Sequence, residues 1–560
     1  MAFDIVFKGG TVVDGSGSAS YQADVALKDG RIAAIGKISE PAARTIDIEG
    51  LVVAPGAIDV HTHYDAEVCW GGLLGASAEH GVTTIIQGNC GIGVAPCRPQ
   101  DREAVVQDLV VLEGIAYDSL AAGIDWQFES FPEYLDLLRK RGLGINVAAF
   151  VPLSPMRRYV IGDDSVERAA TAEERTQIAA CIREAVEAGA LGFSATTLKR
   201  QVGYKGKPMP SQLMDAAEMR AYANVLRDLK QGAMQFNVID SIARPTDEEL
   251  AIIDLLLEEG GGLPVTYSGA LHRNDDPAAV TRMLEKVEPL RVRGARPQTT
   301  TMPFSMEINF SSPMMFADVD AFRQVLNRPP EEQKAMYADP AWRAQAKAGL
   351  TAPGKMLGSS WAESTVHHVK SEGLQSLLDR TIHDIARERG VHPLDLMMDM
   401  VVEDDLGLVI LAKILNTDEE FLGRHIADPR ILIGQHDAGA HVDMMFMGNF
   451  PTYLLGHWVR EKKAMSIEQA VQRMTSDPAD FFGFRDRGRI AIGKAGDLMV
   501  FDPATVNSAQ MAEQVLYDLP AGGKRLSSPP TGMKFVAVNG QILLEHGQHT
   551  GAMPGRIINS

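Results

Sequence analysis

Strand-like and helical stretches alternate from residue 52 to residue 483, and few folds accommodate such a pattern. Apolar runs rich in β-forming residues occur eight times, at 52–60, 83–87, 145–151, 190–194, 233–238, 263–267, 297–302 and 430–434. Helical patterns lie between most of them. Capping-box signals mark helix starts at Thr171, Thr246 and Ser466. Eight β/α units predict an α/β fold of the (β/α)8 TIM-barrel type, with functional residues at the carboxyl ends of the strands.

Both ends of the chain, and one internal segment, differ from this alternation. Short apolar runs separated by turn signals fill the two ends, and neither end makes a large sheet by itself. The sequence therefore predicts a small β-sandwich domain built from residues 1–51 and 484–560, beside a barrel formed by 52–304 and 430–483. Residues 305–429 contain few strand signals. They are expected to form a mainly helical insertion after the seventh strand that roofs the site.

Composition and charge are those of a soluble globular protein. The 560 residues exceed one simple core, and 45% are hydrophobic and 23% charged. A net charge of −19 argues against nucleic-acid or membrane partners, so a small-molecule substrate is expected; association into a homo-oligomer is left open. The chain has no apolar run of ~18 residues, no signal-peptide pattern at its N-terminus and only four cysteines. These features predict a cytoplasmic location.

Two histidines stand at the end of the first predicted strand. Because alternate side chains of a strand share a face, His61 and His63 project together while Thr62 points away. Two imidazoles on one face can hold one metal ion at Zn–N distances of ~2.0–2.1 Å. Asp59 lies on the same face and is expected to orient one of the histidines. The alternative is a pair of histidines in a polar loop, but the end of a buried strand favours a metal site.

Other residues at the predicted barrel mouth extend this site. Cys90 follows the second strand, where a thiolate is a good zinc ligand; the alternative is a small buried cysteine. Asp437 ends the eighth strand, where a carboxylate can bind metal and accept a proton from water; the alternative is a helix N-cap. His441 is within reach of the same mouth and is a candidate for substrate binding.

These motifs resemble the amidohydrolase superfamily, and within it the N-acyl-D-amino-acid deacylase (D-aminoacylase) branch. The matching stretches are 52–56, 59–63, 81–84, 88–91, 189–194, 437–441, 485–490 and 496–498. The resemblance implies a TIM barrel, a flanking β-sandwich made from both ends, and zinc-dependent hydrolysis of amides. It also implies metal-site roles for His61, His63, Cys90 and Asp437, and a proton-transfer role for Asp437.

The chain departs from that branch at two strands. The branch places a metal-binding histidine at the end of the fifth strand and another at the sixth, where this chain reads QFNVID (235–240) and TYSGA (266–270). The nearest histidine is His272, a candidate substrate-binding residue. The simplest set left is one Zn²⁺ on His61, His63 and Asp437, with Cys90 as an optional ligand. Two ions are the alternative.

Three functional hypotheses follow. The first is a metal-dependent hydrolase of the linear amide bond in an N-acyl, preferably D-, amino acid, whose carboxylate is bound by Lys199, Arg200 or Tyr204 after the fourth strand. Lys199 as a carboxylated metal-bridging ligand is an alternative to a solvated or substrate-facing lysine. The second hypothesis is a cyclic-amide hydrolase, lyase or isomerase on the same scaffold. The third is a metal-poor homologue without catalytic activity.

Overall fold

The computed structural model describes residues 2–317, 319–326, 328–352 and 358–560. The chain divides into two compact units, and each has its own core. One unit comprises Met1–Met302 and Asp418–Ser560, and the other comprises Pro303–Thr417. The first unit contains the barrel, a sheet made from both chain ends, and the candidate site.

Eight parallel strands form the barrel in chain order. Their bounds are Ala57–Asp59, Val82–Gln87, Asn146–Pro152, Gly192–Thr196, Ala233–Asn237, Val265–Ser268, Ala295–Thr299 and Leu432–Ile433. We number these barrel strands one to eight. A parallel bridge between Thr62 and Ala438, with the His63 N–H donating to the Ala438 carbonyl at 2.8 Å, joins the ends of strands one and eight. The TIM-barrel prediction is confirmed.

The predicted first strand, 52–60, is divided between two sheets. Val52–Pro55 pairs with strands of the chain ends, whereas Ala57–Asp59 is barrel strand one. Gly56 stands between them, and a Cβ on this residue would lie 2.1 Å from the side chain of Thr83. Only glycine therefore fits where the chain passes from one sheet into the other.

Helices surround the barrel, as the sequence pattern indicates. In the first unit they are Gly75–Ala78, Arg102–Glu113, Tyr117–Gly123, Phe131–Arg141, Leu153–Ile161, Ala172–Glu187, Ala216–Leu229, Asp247–Glu259, Ala279–Arg291, Glu419–Ala427, Phe450–Tyr453, the π-helical Leu454–Glu461, Ile467–Met474 and Ser476–Phe482. The capping boxes expected at Thr171, Thr246 and Ser466 are present, and Ser130 forms another. Among the described residues, no helix is both long enough and apolar enough to span a membrane.

The two chain ends share one nine-stranded sheet. Its N-terminal strands are Phe3–Val12, Tyr21–Lys28, Arg31–Gly36, Ala42–Asp47 and Val52–Pro55, and its C-terminal strands are Leu498–Phe501, Met533–Val538, Gln541–Glu545 and Gln548–His549. The two groups join where Val52–Pro55 pairs with Leu498–Phe501. Gln514–Leu519 and Gly523–Ser527 form a separate hairpin. The predicted β domain built from both ends is thus confirmed; its exact bounds stay a prediction.

The second unit is mainly helical and lies after barrel strand seven, as predicted. Its helices are Asp320–Arg323, Pro330–Ala338, Pro340–Leu350, Ile382–Arg389 and Pro393–Glu403. They pack with a three-stranded antiparallel sheet of Phe304–Asn309, Thr365–His368 and Val409–Leu415, which the sequence reading missed. The compact unit ends at Thr417, because helix Glu419–Ala427 belongs to the barrel unit rather than to the segment 305–429.

Candidate metal centre

A cavity of about 120 Å³ opens among the residues that follow the barrel strands, and the predicted site residues lie on its wall. His61 and His63 follow strand one, Cys90 follows strand two and Asp437 follows strand eight. The first three are fully or almost fully buried, and the Asp437 side chain is 16% exposed. Strand order alone therefore brings together four groups from distant parts of the sequence.

The donor atoms of these four residues point at one another. His61 Nε2 lies 3.2 Å from both Cys90 Sγ and Asp437 Oδ1. His63 Nε2 lies 3.8 Å from Cys90 Sγ and 3.7 Å from Asp437 Oδ1. Four ligands arranged tetrahedrally at zinc distances of ~2.0–2.3 Å are separated by roughly 3.3–3.8 Å from one another. The observed separations fit such a set, so the residues present are suited to hold a divalent ion.

A buried glutamine fixes the orientation of the His61 ring. Gln298 Nε2 donates to Thr266 Oγ1 at 3.0 Å, so its Oε1 faces His61 Nδ1, 2.7 Å away. A carboxamide oxygen only accepts, and the proton of a neutral His61 ring is therefore held on Nδ1. Nε2 then carries a free lone pair aimed at the donor cluster. This is the arrangement usual for a metal-binding histidine.

His63 is flanked by a carboxylate that the sequence did not suggest. Glu113, the last residue of helix Arg102–Glu113, places Oε1 3.6 Å from His63 Nδ1. That distance is long for a hydrogen bond, but the negative charge favours a proton on Nδ1 and leaves Nε2 to face the cluster. Glu113 also binds the His441 N–H through its backbone carbonyl, which ties this helix to the loop after strand eight.

The charges of the cluster favour a cation at its centre. Burial alone would raise the pKa of the Cys90 thiol, but His61 and His63 bring it below the usual value. Burial likewise opposes ionisation of Asp437, and the same two histidines hold its pKa below the usual range. Burial lowers the pKa of His61, yet Cys90 and Asp437 together raise it to about 9. A thiolate and a carboxylate thus converge where positive charge is stabilised.

Asp59 differs from its predicted part in the site. Its Oδ1 accepts the backbone N–H of His61 at 3.2 Å, while Gln298 orients the ring. Oδ2 has no hydrogen-bond partner among the described residues, and burial raises the pKa of this carboxyl to about 7. Asp59 therefore positions the backbone of His61, whereas the ring itself takes its partner from strand seven.

Left-handed backbone conformations are concentrated at the mouth of the cavity. Cys90, Gln435, Asp437 and His441 have φ values of 60°, 57°, 51° and 50°. None of them is a glycine, so each conformation carries a cost of order 1–3 kcal/mol that the surrounding structure must offset. Such conformations hold the Cys90 and Asp437 side chains in place before any ligand arrives.

Of the five residues predicted to bind substrate, two line the cavity. Arg200 and His441 are on its wall. In the described part of the chain, the wall does not include Lys199, which is exposed, or Tyr204, whose N–H binds Asp108. His272 is buried and stacks on Phe421, with ring centroids 4.5 Å apart.

Several cavity residues were not singled out from the sequence. Strands five and six end in Asn237 and Ser268, and both side chains line the cavity together with Gln435 and Glu113. The only available signal for Asn237 and Ser268 was the position of each at the end of a barrel strand. Gln435 Oε1 and His441 Nδ1 are buried and have no hydrogen-bond partner among the described residues, which adds to the polar surface available to a ligand.

Comparisons with known proteins agree with this geometry. The sequence model described as Amidohydrolase family matches residues 44–543. D-aminoacylase from Alcaligenes xylosoxydans xylosoxydans is 27% identical over 570 residues, covering 99% of this chain and 97% of that protein. The N-acyl-D-glutamate deacylase of the same organism is 27% identical over 568 residues, covering 99% and 96%. A solved D-aminoacylase with a binuclear metal centre superposes with a TM-score of 0.69 at 25% identity, covering all of both chains.

Proposed function

This chain belongs to the amidohydrolase family, and we propose that it hydrolyses the amide bond of an N-acyl amino acid, with the D series as the preferred hand. It is a metal-dependent hydrolase that acts on carbon–nitrogen bonds other than peptide bonds. The observation that supports this proposal most strongly is the group of four donors, His61, His63, Cys90 and Asp437, at the mouth of the barrel. Hydrolysis of a small amide is the chemistry that this family and this cluster share.

We propose that the cluster holds one Zn²⁺. Two histidines, a thiolate and a carboxylate are ligands that zinc prefers, and when bound it supplies a Lewis acid that polarises the acyl carbonyl and lowers the pKa of water. Strands five and six present Asn237 and Ser268 to the cavity, and these are poorer zinc ligands than histidine. The related D-aminoacylase is described with a binuclear centre, one-metal activation and second-metal attenuation, so a single ion suffices in that protein.

Asp437 is the residue we assign to proton transfer. Its lowered pKa keeps the carboxylate ionised at neutral pH, as a general base requires. Oδ1 faces the two histidines, which leaves Oδ2 to accept the proton of the attacking water. The same proton is then donated to the amide nitrogen as the carbon–nitrogen bond breaks, which gives a carboxylate and an amine. Asp437 thus begins and ends the cycle ionised.

The substrate class rests on the relatives. D-aminoacylase, N-acyl-D-glutamate deacylase and N-acyl-D-aspartate deacylase each match at least 98% of this chain at 25–27% identity. Their names share an acyl group on the nitrogen of a D-amino acid. A cavity of about 120 Å³ is small, which favours short acyl groups such as formyl and acetyl. We propose these as the acyl groups to test first.

The reaction is proposed to take place in the cytoplasm on a small-molecule substrate. The four cysteines are all free, and Cys69, Cys90 and Cys97 are buried thiols. Unpaired thiols are typical of proteins from reducing compartments. Assembly into a homo-oligomer stays a prediction, which size-exclusion chromatography with light scattering would examine.

A substrate panel tests the proposal. N-formyl and N-acetyl amino acids of both hands, together with two cyclic amides, are incubated with protein loaded with one equivalent of zinc. We expect amine release from at least one N-acyl D-amino acid, and its loss when the metal is chelated. Turnover restricted to the cyclic amides would contradict the proposal in favour of a cyclic-amide hydrolase. No turnover of any compound by the zinc-loaded protein would favour a homologue without catalytic activity.

A further inference from the structure

A chain of side-chain amides leads from Cys90 to the far wall of the cavity. The Cys90 N–H donates to Gln235 Oε1 at 2.6 Å, and Gln235 Nε2 donates to Asn237 Oδ1 at 3.0 Å. Ser268 Oγ donates to the same Asn237 oxygen at 2.8 Å. These hydrogen bonds connect the ends of barrel strands two, five and six.

The direction of each hydrogen bond in this chain is determined by its first member. A backbone N–H can only donate, so the Gln235 atom that faces Cys90 must be the oxygen. The Gln235 amino group then faces Asn237, and only the Asn237 oxygen can accept from it. Ser268 fills the second lone pair of that oxygen. The orientation of the Asn237 carboxamide therefore follows from hydrogen-bond chemistry.

The consequence is an amino group left for a ligand. Asn237 lines the cavity, and its Nδ2 donates to no residue in the described part of the chain. The group carries two N–H donors in a nearly buried position, where an unused donor costs free energy that a ligand recovers. Gln235 and Ser268 hold these donors in a fixed direction, so little conformational entropy is lost on binding.

A cationic side chain lies on the same wall. Arg200, in the loop after strand four, lines the cavity and uses Nη1 to bind Asp240 Oδ1 at 3.0 Å. Its Nε and Nη2 donate to no described residue. The loop is attached to strand five because Thr197 N–H donates to the Asn237 carbonyl at 2.9 Å. Asn237 thus presents its own donors and also anchors the loop that carries the guanidinium.

We infer that Asn237 and Arg200 form a carboxylate-binding subsite, which receives the carboxylate of the substrate when its acyl group lies at the metal cluster. The inference rests on the proposed function. A carboxylate offers two oxygens and a negative charge, which suit a carboxamide amino group beside a guanidinium. The opposite wall carries the Cys90 thiolate, Asp437 and Glu113 and repels an anion. The two walls therefore orient an N-acyl amino acid with its carboxylate away from the cluster.

The substitution Asn237→Asp tests this subsite. An aspartate has nearly the same shape and still accepts from Gln235 and Ser268, but it replaces the two donors with a negative charge. The substrates are N-acetyl-D-alanine and its primary amide, which differ only in the carboxylate. We expect KM to rise by about 10–100-fold for the acid and by less than about 3-fold for the amide, since hydrogen bonds to charged groups are worth this much.

The controls separate this effect from loss of the metal or of the fold. Asn559→Asp makes the same charge change at an exposed position in the C-terminal tail and should leave both substrates unaffected. Zinc content, measured by elemental analysis, should equal that of the wild type. If Asn237→Asp fails to fold, Arg200→Gln takes its place, with the same selective loss for the acid expected. Equal losses for acid and amide would overturn the inference.

Binding measurements keep the subsite test independent of turnover. Should the wild type hydrolyse neither compound, calorimetry with N-acetyl-D-alanine compares the wild type with Asn237→Asp. Wild-type binding that the variant loses, with the primary amide bound weakly by both proteins, supports the subsite although the proposed function has failed. No binding to the wild type, or equal binding by the two proteins, would overturn it.

Discussion

The orientation of a single histidine shows what the sequence could and could not predict about the site. The His61-Thr62-His63 pattern, Cys90 and Asp437 could be identified because each follows a strand-like run, and the structure brings their donor atoms together. Gln298, which fixes the His61 ring, lies 237 residues away and has no motif of its own. Glu113 and Asn237 were missed for the same reason, since each acts through neighbours that only the folded barrel supplies.

Removing the glutamine that orients His61 should weaken zinc binding. The substitution Gln298→Met keeps the approximate size of the side chain but removes the acceptor for the His61 Nδ1 proton. The ring is then free to place its proton on Nε2, and we expect zinc affinity to fall by about 10–100-fold. Competition with a fluorescent chelator measures this change. The exposed Gln548→Met is the matched control, and unchanged affinity in Gln298→Met would contradict the role given to Gln298.

Asp437→Asn separates proton transfer from metal binding. Asparagine keeps the size and one oxygen of the side chain, so we expect zinc to remain bound while kcat falls by at least ~10²-fold. His61→Ala should differ, because it removes a ligand and should lose metal and activity together. Asp163→Asn, at a fully exposed side chain, is the control and should match the wild type. Near wild-type kcat in zinc-loaded Asp437→Asn would move the search for the base to His441.

At the scale of single elements, local signals were reliable and long-range pairing was not. The capping boxes at Thr171, Thr246 and Ser466 were predicted because a helix start is encoded within four residues. The insertion sheet was missed because Phe304–Asn309 pairs with Val409–Leu415, about a hundred residues later. The run 52–60 was read as one strand because apolar patterning cannot show that a chain leaves one sheet for another at Gly56.

Gly56→Ala should destabilise the barrel unit by this steric argument. The added Cβ would lie 2.1 Å from the Thr83 side chain, and overpacking of this kind costs roughly 1–3 kcal/mol or more. Urea unfolding followed by circular dichroism measures the difference in free energy of unfolding. Gly71→Ala is the control, because its Cβ would meet no atom closer than 3.8 Å. Equal stability of the two variants would show that the Gly56 position has room for a side chain.

The whole molecule is built so that distant parts of the sequence complete one another. Eight β/α units were enough to predict the barrel, since strand order follows chain order. The joining of the two chain ends was inferred because each end has too few strands for a stable sheet. In the structure, the ends share a core that contains Ile5, Phe7, Leu498, Val500 and Phe535. The substrate-binding contacts could not be predicted at this scale, because they depend on side-chain hydrogen bonds rather than on topology.

Deleting residues 485–560 should expose the N-terminal strands to proteolysis. The deletion removes Leu498–Phe501, the partner of Val52–Pro55, together with part of the shared core. Limited trypsin digestion followed by mass spectrometry should then show cleavage within residues 2–50, for example at Arg31 or Arg44, earlier than in the full chain. If these residues stay as protected as in the full chain, the N-terminal strands do not depend on the C-terminal ones.

Anomalous diffraction from crystals of the zinc-loaded protein tests the central claim, that His61, His63, Cys90 and Asp437 form the metal centre of an amidohydrolase. Data collected on both sides of the zinc absorption edge locate the ion without reference to any assumed site. We predict one strong peak per chain, within ~2.0–2.3 Å of His61 Nε2, His63 Nε2, Cys90 Sγ and an oxygen of Asp437. A protein that takes up zinc but shows its peak away from these four residues, or shows none, would contradict the account.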